Sequence, residues 1–474
     1  MRRTGHNLIT LAFFCLIVAG RGQEGNYKFD NYGNQSMLLN GNVTGSATDL
    51  GLAFYNPARL VTVDKPSFVI AGKAYEWSKF TFEDIFETEI DLNTSNFSGV
   101  PSIVAGTFNL KFLPKHKFAY SILSRYRSNI PLNYSSGIQE NPEFDTLENE
   151  VSRVTNINFQ NNLREDWYGI TWAYPVNEKL GVGASLFGSI YTSKGGSNID
   201  ITAEREDSST AGYSSVLNYN QKTYGLFLKM GVAWQVSNID LGVNISLPFI
   251  QVEKRASLLY QENLIGLGPG EDFLAYAELD DLENKRRTAT SISVGAGIPV
   301  GKSTIHLDSS WHSKVKPYQR IELPAFDTIV QNLGPEPFEE EFRSVINFGA
   351  GADIYISSSI KLIMSFSSDF SATVSSINLF DVVNPSEGKV NLLNDFWHYG
   401  LGTDLSLKWG QIVLGATYSR TRSPFEEGVQ IPDDIIDDGA LDFVTGITSV
   451  SYTHLRAHET IHAISYDVFC LKKG

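Results

Sequence analysis

The sequence predicts an all-β protein, a transmembrane antiparallel β-barrel of about fourteen strands with an N-terminal hatch. Three observations carry this. Runs of about ten residues alternate between apolar and small or polar side chains, which is the period of a strand. Tight turns alternate with long polar connections. The composition suits sheet: 40 glycines, 12% aromatic residues and only 4 methionines.

The first element is a leader. Arg2 and Arg3 precede the apolar run Leu8–Gly20, and small residues follow, so residues 1–23 read as a secretory signal peptide. The run is too short to span a bilayer as a helix. The chain's 2 cysteines, Cys15 and Cys470, fall in the leader and near the C-terminus, so no disulfide framework is expected. The net charge of −15 makes a poor nucleic-acid binder.

Residues 24–65 form the candidate plug. They contain GNVTGSATDLGLAFYNPARL, rich in small residues, with Pro57 blocking a regular helix. The segment precedes the first strand and so starts on the periplasmic side.

Residues 66–449 supply the barrel. In REDWYGITWAY-PVNEK-LGVGASLFGSIY, Tyr168, Ile170, Trp172 and Tyr174 share one face, and Leu180, Val182, Ala184 and Leu186 return on it. Further hairpins turn near Pro114–Lys115, Ser237–Asn238, Gly301–Lys302, Ser357–Ser359 and Trp409–Gly410. An opening strand begins near Ser67 and a closing one near Asp442. A soluble sandwich would also alternate, but it does not require the regular exchange of short turns and long loops. Arg125, Lys229, Asp353, Lys361, His398 and Asp404 lie on the non-apolar face, where lipid contact would be costly, so that face should line the lumen. It also carries glycines such as Gly183, Gly231, Gly242 and Gly402. These either let the sheet coil or admit the backbone of a plug.

The plug segment, with its Asn56-Pro57-Ala58, resembles the hatch of the FadL/TodX family of outer-membrane hydrophobic-substrate transporters. The resemblance spans the mature chain up to residue 449. It implies a fourteen-stranded barrel, and Arg59 stands where the family has glycine. It also implies passive passage of long-chain fatty acids or aromatic hydrocarbons across the outer membrane of a Gram-negative bacterium, with Asn56, Pro57 and Ala58 in the gate. The partners it implies are outer-membrane lipid, lipopolysaccharide and a hydrophobic ligand, with a monomer expected and no cofactor. Leu258, Leu259, Tyr260, Leu264, Ile265 and Phe273, in the apolar loop Gln251–Arg286, are candidate ligand-capture residues. Trp77 and Phe80 are a second candidate. The alternative is the same barrel without transport, as a surface scaffold or secretion-machinery shuttle.

His458, Glu459 and His462 match H-E-x-x-H, in which two histidines one helical turn apart bind zinc and the glutamate activates water. The surroundings argue against it. VSYTHLRAHET (Val450–Thr460) and ISYDVFCLKK (Ile464–Lys473) resemble the translated ends of a sequencing-library adapter, with an index-sized gap between them. Residues 450–474 are therefore expected to be a non-native tail, the last native strand to be cut, and the zinc motif to be artefactual. Neither a Ser/His/Asp set nor a phosphate loop is legible elsewhere, so no enzyme is expected.

Overall fold

The computed structural model describes residues 24–63, 67–85, 88–97, 101–140, 149–268, 270, 272–323, 338–374, 395–408, 410–420, 443–444 and 446–458; between 73 and 97, and along 128–132 and 443–458, it gives the strand path alone. Among these residues no helix is long and apolar enough to cross a membrane. The architecture is a closed antiparallel sheet of fourteen staves. β1 is Ser67–Ile85, β2 runs as Thr88–Phe97 and Pro101–Phe108, and β3 is Lys117–Ser135. β4 is Glu150–Pro175, β5 Leu180–Arg205 and β6 Thr210–Val236. β7 runs as Ile239–Ser246 and Ile250–Ile265, β8 as Phe273–Leu279 and Ser291–Val300. β9 is Ser303–His312, β10 Val345–Ser357, β11 Ile360–Asp369, β12 Phe396–Ser406 and β13 Gln411–Arg420. β14 runs as Phe443–Val444 and Gly446–His458.

Closure is direct. It runs through the tail whose sequence reads as non-native: Leu455 of β14 lies opposite Ile412 of β13 on one side and Ile70 of β1 on the other, so the sheet has no open edge at the seam. The alternation sets the two faces. Ile170, Val243 and Leu414 project outward and are exposed, while Thr171 and Ser185 face inward and share a 2.8 Å hydrogen bond. Apolar side chains outside and hydrogen-bonded polar ones inside is the arrangement a bilayer demands.

β4, β5 and β6 have 26, 26 and 27 residues, against roughly ten needed to cross. Their distal halves continue beyond the apolar belt. There the outward positions of β4 become Asn156, Asn158, Gln160 and Asn162, while Ile157, Phe159 and Leu163 stay buried inside. This corrects one expectation. Gln251–Arg286 is not a loose loop, because β7 and β8 pair from Leu258↔Leu279 to Leu264↔Phe273. The alternation of β6 and β7 simply persists above the membrane, and the polar outer face disguised it as loop.

The hatch fills the turn-side half of the lumen. It has two four-residue helices, α1 (Gln35–Leu38) and α2 (Leu52–Tyr55), and a 3-10 turn, Pro57–Thr62. Such short helices are not stable alone. Asp49 ties them together by accepting from the Asn34, Ser36 and Gly51 N–H groups at 2.8–2.9 Å. The main apolar core lies between hatch and wall. Leu38, Leu39, Leu52 and Leu60 pack with Ala71, Leu123, Trp167, Phe187, Ile363 and Val413.

Candidate ligand path and its hatch

Asn56 is fully buried, at the start of the 3-10 turn. Its side-chain oxygen accepts from the Ala58 N–H at 3.1 Å, and its amide donates to the Thr44 carbonyl at 2.8 Å and the Val232 carbonyl at 3.0 Å. One side chain thus caps the turn, spans the hatch and grips β6. Pro57, first in the turn, has no N–H to lose there and its φ is already helical. Arg59 keeps its charge buried by pairing with Asp240 at 3.2 Å and donating to the Ala47 carbonyl.

Wall carboxylates and hydroxyls hold the rest. Asp308 accepts from the Thr44 N–H at 3.1 Å and pairs with Lys28, and Asp369 accepts from the Tyr27 and Lys28 N–H groups. Ser46 bonds His306 at 2.7 Å, and Gln35 donates to Asp404. The wall glycines matter here. A Cβ at Gly183 would stand 2.7 Å from the Ala58 nitrogen, and one at Gly231 would meet the Asn56 oxygen. Glycine at these positions is required by the close approach of the hatch.

Beyond the hatch lies a cavity of about 130 Å³, lined by Phe54, Trp167, Phe227, Arg125, Lys229 and Arg286 among others. Trp167 stacks on Phe227 with ring centres 4.3 Å apart. Three cations meet this aromatic floor. Arg286 is neutralised by Glu165 through two hydrogen bonds of 2.7 and 2.9 Å. Arg125 and Lys229 have no such bidentate partner, although Asp30, which lines the same cavity, acts on Arg125. They lie 5.2 and 4.0 Å from the centre of the Phe54 ring, so the two charges are within about 9 Å of each other. Both residues are buried, and among the described residues no carboxylate is within ion-pair distance of either. A buried cation facing a cavity without a direct ion pair gains from an anion that a ligand supplies.

The capture candidates divide. Leu258 and Tyr260 point inward and are buried with Leu217, Tyr219 and Phe338 beneath the outer rim. Leu259 and Leu264 are half-buried, and Ile265 and Phe273 are exposed at the tip of the β7–β8 hairpin. Trp77 and Phe80 sit on β1, opposite Ser95 and Leu92, and their side chains lie outside the described residues. His458 ends β14 opposite Ser67, in extended chain; Glu459 and His462 lie outside the described residues.

No protein-family profile matches the sequence, and no curated protein does. Solved structures match over nearly the whole chain. The Pseudomonas putida toluene transporter TodX superposes with a TM-score of 0.55 at 12% identity, covering 91% of this chain and 100% of that one. A Pseudomonas aeruginosa FadL homologue gives 0.51 at 13%, covering 93% and 98%. The Ralstonia pickettii toluene transporter TbuX gives 0.50 at 10%, covering 90% and 98%. The chain has the fold of the FadL-type outer-membrane channels.

Within this FadL-type barrel the sequence pointed to Arg125 and Lys229 only as lumen-facing charges. It did not single out Glu165, Arg286 or Asp49. Arg286 arrives from the segment between the two halves of β8, and nothing in its local sequence marks it as a lumen residue. Asp49 carried one readable signal, an acid in the middle of a small-residue segment.

Proposed function

We propose that this barrel passes hydrophobic molecules across the outer membrane by diffusion through a hatch-plugged lumen, and that its preferred cargo carries a carboxylate at one end, as a long-chain fatty acid does. One observation carries the choice: Arg125 and Lys229 are buried beside the Phe54 ring and, among the described residues, neither makes a direct ion pair. An apolar tail would lie on Phe54, Trp167 and Phe227, and the carboxylate would settle between the two cations. A neutral aromatic hydrocarbon, such as the toluene carried by TodX and TbuX, would bring neither cation an anion. The outer loops and rim gather the molecule, the chamber holds it, and the hatch delays it.

The test uses reconstituted protein and two probes, a long-chain fatty acid and toluene. Arg125→Gln with Lys229→Met should weaken fatty-acid binding by about tenfold or more while toluene binding stays level. Fatty-acid binding that survives the double change would move the assignment to neutral hydrocarbons. The long polar outer sheet of β4–β6 favours a second reading, a surface scaffold. A barrel that binds neither probe, yet holds a protein partner through that sheet, would support it.

A further inference from the structure

The outer face of β3–β7 carries a row of cations in strict register. Arg127 lies opposite Arg164, Arg164 opposite Thr192, Thr192 opposite Lys222, and Lys222 opposite Arg255. The row crosses five neighbouring staves, about 19 Å at the usual strand spacing. Lys194 adds a fifth charge in the next row, between Asn162 and Asn220. Two like-charged pairs face each other directly, which by itself weakens a sheet. Two carboxylates offset part of the charge. Asp166 takes Arg127 at 3.1 Å and Arg164 at 2.7 Å, and Glu253 takes Arg255 at 2.6 Å. Lys222 lies over the Tyr224 ring at 5.1 Å with no carboxylate partner among the described residues. The row is thus net positive on a chain of net charge −15.

Its height is set by the rows beneath it. One outward step toward the turns come Ser124, Asp166, Ile190, Tyr224 and Glu253, and one step further Ile122, Tyr168, Leu226 and Ile250. Successive outward rows are about 7 Å apart along a strand, so each cation stands about two rows beyond the apolar belt of its own stave. That is the level of lipid headgroups. We propose that this row binds the phosphate groups of anionic lipid headgroups in the outer leaflet. Guanidinium forks suit phosphate, and an exposed pair such as Arg255–Glu253 is weak enough to yield a fork to it. Arg164 and Arg255 keep 56% and 71% of their side chains exposed, so both can reach outward.

The experiment compares the full-length protein with the triple variant Arg164→Gln, Lys222→Gln, Arg255→Gln, and with Asp166→Asn. Each is reconstituted in vesicles containing a phosphorylated outer-leaflet glycolipid or its dephosphorylated form, and retained lipid is counted by native mass spectrometry. The triple variant should lose phosphorylated lipid by about tenfold or more, and Asp166→Asn, which removes a competing anion, should gain. The dephosphorylated lipid should be retained poorly by all three. Equal retention of both lipids would overturn the proposal, as would a triple variant that holds phosphorylated lipid like the parent. Inorganic phosphate that displaces the lipid at equal concentration would also overturn it, by making the row a free-phosphate site.

Discussion

The Asn56 amide donates to the Val232 carbonyl at 3.0 Å, joining the hatch to the wall 176 positions away in the chain. The same residue caps the 3-10 turn through Ala58. Asn56→Ala removes three hydrogen bonds, to the Thr44 and Val232 carbonyls and from the Ala58 N–H, at a cost of about 1–3 kcal/mol. Amide exchange across residues 56–62 should accelerate, while the heat-modifiable gel mobility of the folded barrel stays the same. Unchanged exchange would remove Asn56 from the clasp.

Gly231→Leu should dislodge the hatch and spare the barrel, whereas Gly402→Leu should disturb both. A Cβ at Gly231 meets Asn56 and Pro57 of the hatch, and one at Gly402 meets Leu38 but also the Leu414 carbonyl of β13 at 2.6 Å. The outward apolar faces of β6 and β12 are untouched by either change. Hatch displacement reads out as raised single-channel conductance in planar bilayers. A barrel that no longer folds would instead lose its gel shift, so the two failures are separable.

Deleting residues 24–63 should raise conductance further. The segment's buried side chains fill the turn-side lumen, and a barrel of this size without it has an open bore. Pro57→Ala should alter hydrophobic-ligand uptake with little effect on folding, because it frees φ at a turn that Asn56 still caps. Uptake indifferent to both changes would favour the scaffold reading.

Labels at Ile170, Val243 and Leu414 should report lipid, and labels at Lys229, Asp353 and Asp404 should not. The first three are exposed on the outer face and the last three are buried inside. Accessibility without this parity would reject the register.

The purified protein should bind no stoichiometric zinc. His458, the first histidine of the motif, ends the extended strand β14, whereas the motif binds zinc by placing its two histidines one helical turn apart. Tight zinc binding lost in His458→Ala would restore the metal reading. A genomic read running unbroken through codons 450–474 would make the tail native.

What the sequence by itself determined was everything governed by period two. It fixed which faces meet lipid, where the tight turns fall, how many staves the sheet has, and that a small-residue segment precedes it. Ile170 and Thr171 are assigned to opposite faces by adjacency alone. It under-read the distal halves of β4–β8, because above the bilayer the outer face becomes polar and the hydropathy contrast fades even though the pairing continues. The chamber needed the tertiary structure. Arg125, Glu165, Lys229 and Arg286 come from four separate segments, and only barrel closure and strand register place them around Phe54, Trp167 and Phe227. The same holds for the glycines. Sequence showed that the inner wall was bare, but which atom of the hatch needed each vacancy depended on contacts between segments more than 100 residues apart, and no local pattern encodes those.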